Sequence, residues 1–129
     1  MPHLTRPLRV LCVDDDAVAR ELMQGACRAA GADVRCAGDG AAALREARAF
    51  RPDLVLLDVV MPVLDGLSAC RMLRGDPELC GVAIHVVSSR TTPADRDAAL
   101  RVGASGFLAK PFSVAALVAL VGRIALAGA

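Results

Sequence analysis

The stretch Asp53-Leu-Val-Leu-Leu-Asp58-Val-Val-Met61-Pro62 constrains the fold more than any other part of the chain. Four successive apolar residues run into a carboxylate, and a Met-Pro stop follows three residues later. A continuous apolar run of this length reads as a strand covered on both faces, as a parallel sheet provides. In open α/β sheets, ligands bind outside the carboxyl ends of the strands. A carboxylate buried there costs free energy unless something cationic compensates it. Asp58 is therefore either a solvated strand terminus or a working carboxylate beside a metal ion or an ammonium group.

The other strand ends decide between these readings. Leu8 to Val13 is a first apolar run, and it stops at Asp14-Asp15-Asp16. A helix is expected from Ala17 to about Ala30, with Val18, Leu22, Ala26 and Ala29 inward and Gly31 as its stop. Asp33 to Ala37 alternates like an edge strand. Gly38-Asp39-Gly40 turns it into a second helix, Ala41 to Ala49, with Leu44 and Ala47 inward. The third strand is the opening stretch, and a helix from Asp65-Gly66 to about Arg74 follows, with Leu67, Cys70 and Leu73 inward. Val82 to Val87 is a fourth strand, ending at Ser88-Ser89. A helix then begins near Pro93, where proline suits a first turn, and runs to Val102. Phe107 to Ala109 is a fifth strand, ending at Lys110-Pro111. Ser113 caps a last helix that continues to about Ala127. Five β-α units imply one α/β domain over residues 1–129: a parallel sheet with right-handed crossovers and helices on both faces.

The carboxyl ends of a parallel sheet share one edge. Asp14, Asp15, Asp58, Ser88 and Lys110 can thus converge there. Clustered carboxylates repel one another, and a hard divalent cation is the usual remedy; Mg²⁺ takes carboxylates, waters and phosphate oxygens. A nucleophilic Asp near Mg²⁺, with Ser and Lys ready for phosphoryl oxygens, describes in-line phosphoryl transfer. Lys110 is the one lysine among 15 basic residues, the rest being arginine. A compact ammonium differs physically from a planar guanidinium fork, so this position is one where arginine is not expected to serve.

Composition excludes several classes. The net charge is +1 with both signs scattered, unlike a nucleic-acid surface. Met1 to Arg9 does not read as a signal peptide, and the uncharged run Ser113 to Gly122 is too short to span a bilayer. Five cysteines without a C-x-x-C pair fit reduced thiols in a cytoplasmic core better than a disulfide frame or a zinc site.

In order and spacing, Val13-Asp14-Asp15, Leu57-Asp58-Val-Val-Met61-Pro62 with Asp65-Gly66, Val87-Ser88-Ser89, and Gly103-Ala-Ser-Gly-Phe107-Leu-Ala-Lys110-Pro111-Phe112 resemble the receiver domains of bacterial two-component response regulators. The resemblance covers Arg9 to the last helix and implies a flavodoxin-like (βα)5 fold with strand order 2-1-3-4-5. It implies that Asp58 accepts a phosphoryl group from a phosphohistidine on a histidine kinase or phosphotransfer protein. Asp15 and Asp58 would ligate Mg²⁺ directly, joined by the Val60 backbone carbonyl and, through water or weakly, by Asp14. Ser88 and Lys110 would each hold a phosphoryl oxygen, the Lys110–Pro111 bond would be cis, and Phe107 would be the switch aromatic that moves with Ser88. The family implies kinase contacts around the first helix and the site loops, where Ala17, Arg20, Glu21 and Gln24 are candidates. Phe107 stands where tyrosine is commonest, so no phenolic hydroxyl reports its position. Val60 and Arg90 flank the site and would restrict the water that hydrolyses the acyl phosphate. Asp16 is expected to cap the first helix, and His85 to be structural; His3 has no part in the chemistry.

Two rivals remain. Asp14-Asp-Asp-Ala-Val18 also fits the nucleophile loop of haloacid dehalogenase-type phosphatases, with Asp14 attacking, but that leaves Asp58-x-x-Met-Pro unexplained. A degenerate receiver serving only as an unphosphorylated binding module conflicts with the full set of site residues. For the output, Val114, Leu117, Val121 and Ile124 of the last helix are expected inward. Ala116, Ala119, Arg123 and Leu126 would then face outward with Leu120 at their edge, a face with a single charge. A helix apolar nearly all round is usually covered. That face, with the fourth helix and the Phe107 strand, is the expected surface for a homodimer or an output partner.

Overall fold

The computed structural model describes residues 6–61 and 65–127; Pro62 of the opening motif and His3 lie outside them. Strands and helices alternate as β1 (Arg9–Val13), α1 (Ala17–Ala29), β2 (Asp33–Ala37), α2 (Gly40–Phe50), β3 (Leu54–Asp58), α3 (Gly66–Gly75), β4 (Ala83–Ser88), α4 (Pro93–Arg101), β5 (Gly106–Ala109) and α5 (Val114–Ala127). All strand pairings are parallel, in the order β2-β1-β3-β4-β5. This is the doubly wound, flavodoxin-like arrangement that the family resemblance implies.

Every residue of β3 is buried, as the uninterrupted apolar run requires. Side-chain alternation then builds two cores. Leu11, Val13, Val55 and Leu57 pack with Ala43, Leu44, Cys70 and Leu73 of α2 and α3. Val10, Cys12, Leu54 and Leu56 pack on the other face with Met23 and Cys27 of α1 and Leu117, Leu120 and Val121 of α5. The register pairs Val13 with Leu57, Asp58 with Val87, and Ser88 with Ala109. Strand ends, and the groups they carry, therefore meet along one edge.

Short polar side chains set the helix entries. Asp16, Asp39 and Asp65 accept from the backbone N–H of Val18, Ala42 and Ser68, and Thr92 with Asp95 forms a capping box. Asp16 thus has the capping role expected of it. Ser113 Oγ likewise accepts from Ala116 N at 3.0 Å. Asp53 precedes β3 and accepts from Arg9 N at 2.8 Å and from both terminal nitrogens of Arg6.

Two helix faces differ from expectation. In α1, Ala26 is buried as expected, but Val18 and Leu22 are 63% and 56% exposed, Ala29 is also exposed, and Met23 and Cys27 are buried instead. The apolar arc of α1 is wider than the face the sheet covers, and the helix is turned so that Met23, Ala26 and Cys27 fill the layer. In α5, Leu120 is only 3% exposed while Val114 is 53% exposed. Leu120 therefore belongs to the core under α5, not to an outward face, and a charge placed there would disrupt packing. Arg123 and Leu126 are exposed as expected.

His85 lies in β4 away from the strand-end cluster, as a structural residue should. Its Nδ1 is buried without a partner. Burial, assisted by the nearby Arg123 charge, lowers its pKa below the usual imidazole value.

Candidate functional site

Three carboxylates from two strand ends define the site. Asp14, Asp15 and Asp58 each place an oxygen within 4.8 Å of the other two. Asp14 and Asp58 are 1% and 8% exposed, whereas Asp15 faces solvent. Asp14 follows directly on β1, so the buried strand carries it into the sheet edge. Its Oδ1 accepts from Asp16 N at 3.0 Å, and its Oδ2 lies 2.5 Å from Lys110 Nζ. The same ammonium is 3.9 Å from Asp58 Oδ1. Lys110 is held where β5 ends by its backbone N–H, which donates to the Ser88 carbonyl at 2.8 Å. The Lys110–Pro111 peptide is cis, as expected.

One ammonium faces three carboxylates, and the imbalance appears in Asp58. Burial first, then the neighbouring Asp14 charge, pushes its pKa up to about 6, against the opposing pull of Lys110 and of the Val60 N–H. Val60 N donates to Asp58 Oδ1 at 3.4 Å, and Val60 itself is 50% exposed. A cluster of hard oxygen donors with uncompensated negative charge fits a hard divalent cation.

Ser88 is the last residue of β4 and is 1% exposed; its Oγ accepts from Arg90 N at 3.0 Å. Beyond it a cavity of about 80 Å³ is bordered by Val59, Leu67, Ser88, Ala98 and Phe107. Phe107 is half-buried, and the Arg96 guanidinium lies 4.7 Å from its ring centroid.

All the strand-end residues singled out in the sequence thus converge. Three further contributors were not assigned these roles. Arg20, a candidate for partner contacts, also donates from Nη1 to the Asp14 carbonyl at 2.8 Å. Gly66, a helix start in the sequence, also lets α3 close onto β3, since a Cβ there would lie 1.9 Å from the Asp58 carbonyl oxygen. Arg96 had no role, because nothing local to its sequence announces the contact with Phe107.

Residues 10–122 match the family of response regulator receiver domains. The chain belongs to that family. It is a receiver domain of two-component signal transduction. The DNA-binding response regulator MtrA of Mycobacterium tuberculosis is 42% identical to it over 113 residues, which cover 88% of this chain and 48% of that protein. The transcriptional regulatory protein PrrA of Mycobacterium leprae is 45% identical over the same span, with 88% and 48% covered. The receiver spans about half the length of the curated relatives it matches. Among solved structures, chemotaxis protein CheY4 of Vibrio cholerae superposes with a TM-score of 0.87 at 31% identity, covering 92% of this chain and 98% of that one. The receiver domain of sensor histidine kinase PA1611 from Pseudomonas aeruginosa, with a magnesium ion coordinated in its active site cleft, gives 0.84 at 33% identity, covering 91% and 96%. The family membership and the Asp58 motif disfavour both the phosphatase and the degenerate readings. Among the described residues, no helix is long and apolar enough to cross a membrane.

Proposed function

We propose that residues 1–129 act as a single cytoplasmic phosphoacceptor domain in which Asp58 takes a phosphoryl group from a phosphohistidine on a histidine kinase or phosphotransfer protein. The observation that carries this reading is the buried Asp58 carboxylate, backed by Asp14 and Asp15 and reached by Lys110. Asp58 oxygen attacks phosphorus in line, the P–N bond to the donor imidazole breaks with its electron pair staying on nitrogen, and that nitrogen takes a proton from water. The Ser88 hydroxyl donates to one phosphoryl oxygen and the Lys110 ammonium to another, stabilising charge where it develops. Asp15 and Asp58, with the Val60 carbonyl and, weakly or through water, Asp14, would hold Mg²⁺. That ion would offset the repulsion between the carboxylates and the incoming phosphoryl group, and the magnesium-bearing PA1611 receiver supports the assignment. The same residues assist hydrolysis of the acyl phosphate, with Val60 and Arg90 restricting access of water.

The metal role is tested by titrating Mg²⁺ into wild type and Asp15→Asn. A hard cation loses a charged oxygen ligand in the variant, so affinity should fall about tenfold. Equal affinities would remove Asp15 from the ligand set. In parallel, acetyl phosphate should label the wild type with Mg²⁺ present and not with a chelator in excess.

Lys110 offers a second test. Its Nζ sits 2.5 Å from Asp14 and is only partly exposed. The planar guanidinium fork is larger than an ammonium and does not fit this space without displacing a carboxylate. Lys110→Arg should therefore slow labelling or block the conformational response rather than behave as a conservative change. Normal rates together with a normal response would show that any cation suffices.

For output, Ser88 shifts toward the phosphoryl group and Phe107 turns toward the adjacent cavity, which changes the surface formed by α4, β5 and α5. Exposed Arg123 and Leu126 lie on α5 for a homodimer or an output partner. Arg96 stacks on the ring from outside and opposes this movement. An exposed cation–π contact is worth about 0.5–1 kcal/mol, so Arg96→Ala should raise affinity for the phosphoryl analogue beryllofluoride by about two- to fivefold. Unchanged affinity in a calorimetric titration would show that Arg96 does not hold Phe107 outward.

A further inference from the structure

Outside the acidic cluster, the chain brings three thiols together on the α1 side of the sheet. Cys12 in β1 and Cys36 in β2 are register partners, and both belong to the layer that contains Cys27 of α1. Cys12 and Cys27 are buried, whereas Cys36 on the edge strand is partly exposed. Two cations of α1 act on Cys36, Arg20 and Arg28. Arg20 is directed to this end of β2: a Cβ on Gly38, two residues beyond Cys36, would meet its Nη1 at 3.4 Å.

We propose that Cys36 is a peroxide-reactive thiol and that Cys12 resolves its oxidised form to an intramolecular Cys12–Cys36 disulfide. Each requirement of that chemistry is present. Reactive cysteines occur in electropositive, partly exposed surroundings, and Cys36 has two guanidinium groups near it. The neighbouring Cys12 thiol first, then Arg20 and Arg28, outweigh partial burial and bring the Cys36 thiol down to about 7. Registered residues on neighbouring strands stand about 4.8 Å apart at Cα, within the roughly 4.4–6.8 Å that a disulfide spans. Both side chains leave the same face of the sheet. The exposed Cys80 has no thiol partner of this kind, and Cys70 is buried against the Val102 carbonyl at 3.6 Å.

Cys36 thiolate attacks the terminal oxygen of a hydroperoxide, the O–O bond breaks, and the leaving hydroxide or alkoxide takes a proton from water. Sulfur is oxidised by two electrons to sulfenic acid as the peroxide is reduced. The Cys12 sulfur then attacks the Cys36 sulfur, hydroxide is displaced, and it leaves as water with the Cys12 proton.

The test uses the full chain, fully reduced, with one equivalent of hydrogen peroxide at pH 7. Site-resolved mass spectrometry follows the free thiol at each cysteine. Cys80 is the internal reference, so the central comparison needs no variant. The guanidinium groups beside Cys36 favour its thiolate, the attacking species, so Cys36 should be consumed about fivefold faster than Cys80. A peptide pair linked through Cys12 and Cys36 should appear under non-reducing digestion. Cys12→Ala should instead accumulate Cys36 sulfenic acid that dimedone captures, and Cys36→Ser should give neither product. Consumption of Cys36 no faster than that of Cys80, or a disulfide joining Cys36 to any residue other than Cys12, overturns the proposal.

Discussion

Asp58→Ala incubated with Mg²⁺ and acetyl phosphate should gain no phosphoryl group, while the wild type gains one that hydroxylamine removes. The effect is complete rather than graded because the substitution removes the nucleophile itself. Neither Asp14 nor Asp15 is expected to take over. Asp14 is held by Lys110 at 2.5 Å and by the Asp16 N–H at 3.0 Å, so its lone pairs are engaged in binding cations and donors. Asp58→Asn should be equally inert, which separates loss of the nucleophile from any cavity that alanine leaves. Intact-mass measurement of the three proteins decides the matter. Persistent labelling in Asp58→Ala, mapped to Asp14, would revive the phosphatase-like assignment and remove the phosphoacceptor reading.

The second large effect is at Gly66. A side chain there would place Cβ 1.9 Å from the Asp58 carbonyl oxygen and 2.8 Å from Val59 Cα. The obstructing atoms are backbone, so no rotamer change relieves the clash. Gly66 N also donates to the Val59 carbonyl at 2.9 Å, which draws the start of α3 onto the end of β3. Gly66→Ala must therefore push α3 away from the strand end that carries Asp58. Overpacking of this kind costs about 1–3 kcal/mol and occasionally more; with backbone on both sides the upper end applies. The melting temperature should fall by about 10 °C, and labelling of the protein that remains folded should slow. Gly25→Ala is the control. Gly25 lies within α1 with nothing within 4 Å of its Cβ position, so alanine should stabilise by about 0.5–1 kcal/mol. A Gly66→Ala protein with wild-type melting and labelling would show that the β3–α3 junction yields freely.

The convergence at the sheet edge was legible because each contributor is announced by its own strand. Apolar runs end at Asp14, Asp58, Ser88 and Lys110, and a parallel sheet puts all such ends on one side. Element boundaries came out within a residue or two for the same reason, since caps such as Asp16, Asp39 and Thr92 act on their own helices. Strand order was a different matter. It entered through the resemblance, since strand periodicity says which residues are covered and not which strand lies alongside.

By itself, then, the sequence determined the alternation of strands and helices, the identity of the strand-end residues and the family to which they belong. Tertiary structure decided how each helix is rotated and which distant groups touch. One residue along a helix turns its face by about 100°, and α1 and α5 carry apolar residues on more of their circumference than the sheet can cover. Met23 rather than Val18, and Leu120 rather than Val114, became core because of the shape of the layer beneath them. Lys110 rests closer to Asp14 than to Asp58, and Cys36 lies beside Cys12, for the same reason. Contacts between residues far apart in the chain depend on strand register and helix docking, which act only once the whole sheet is assembled.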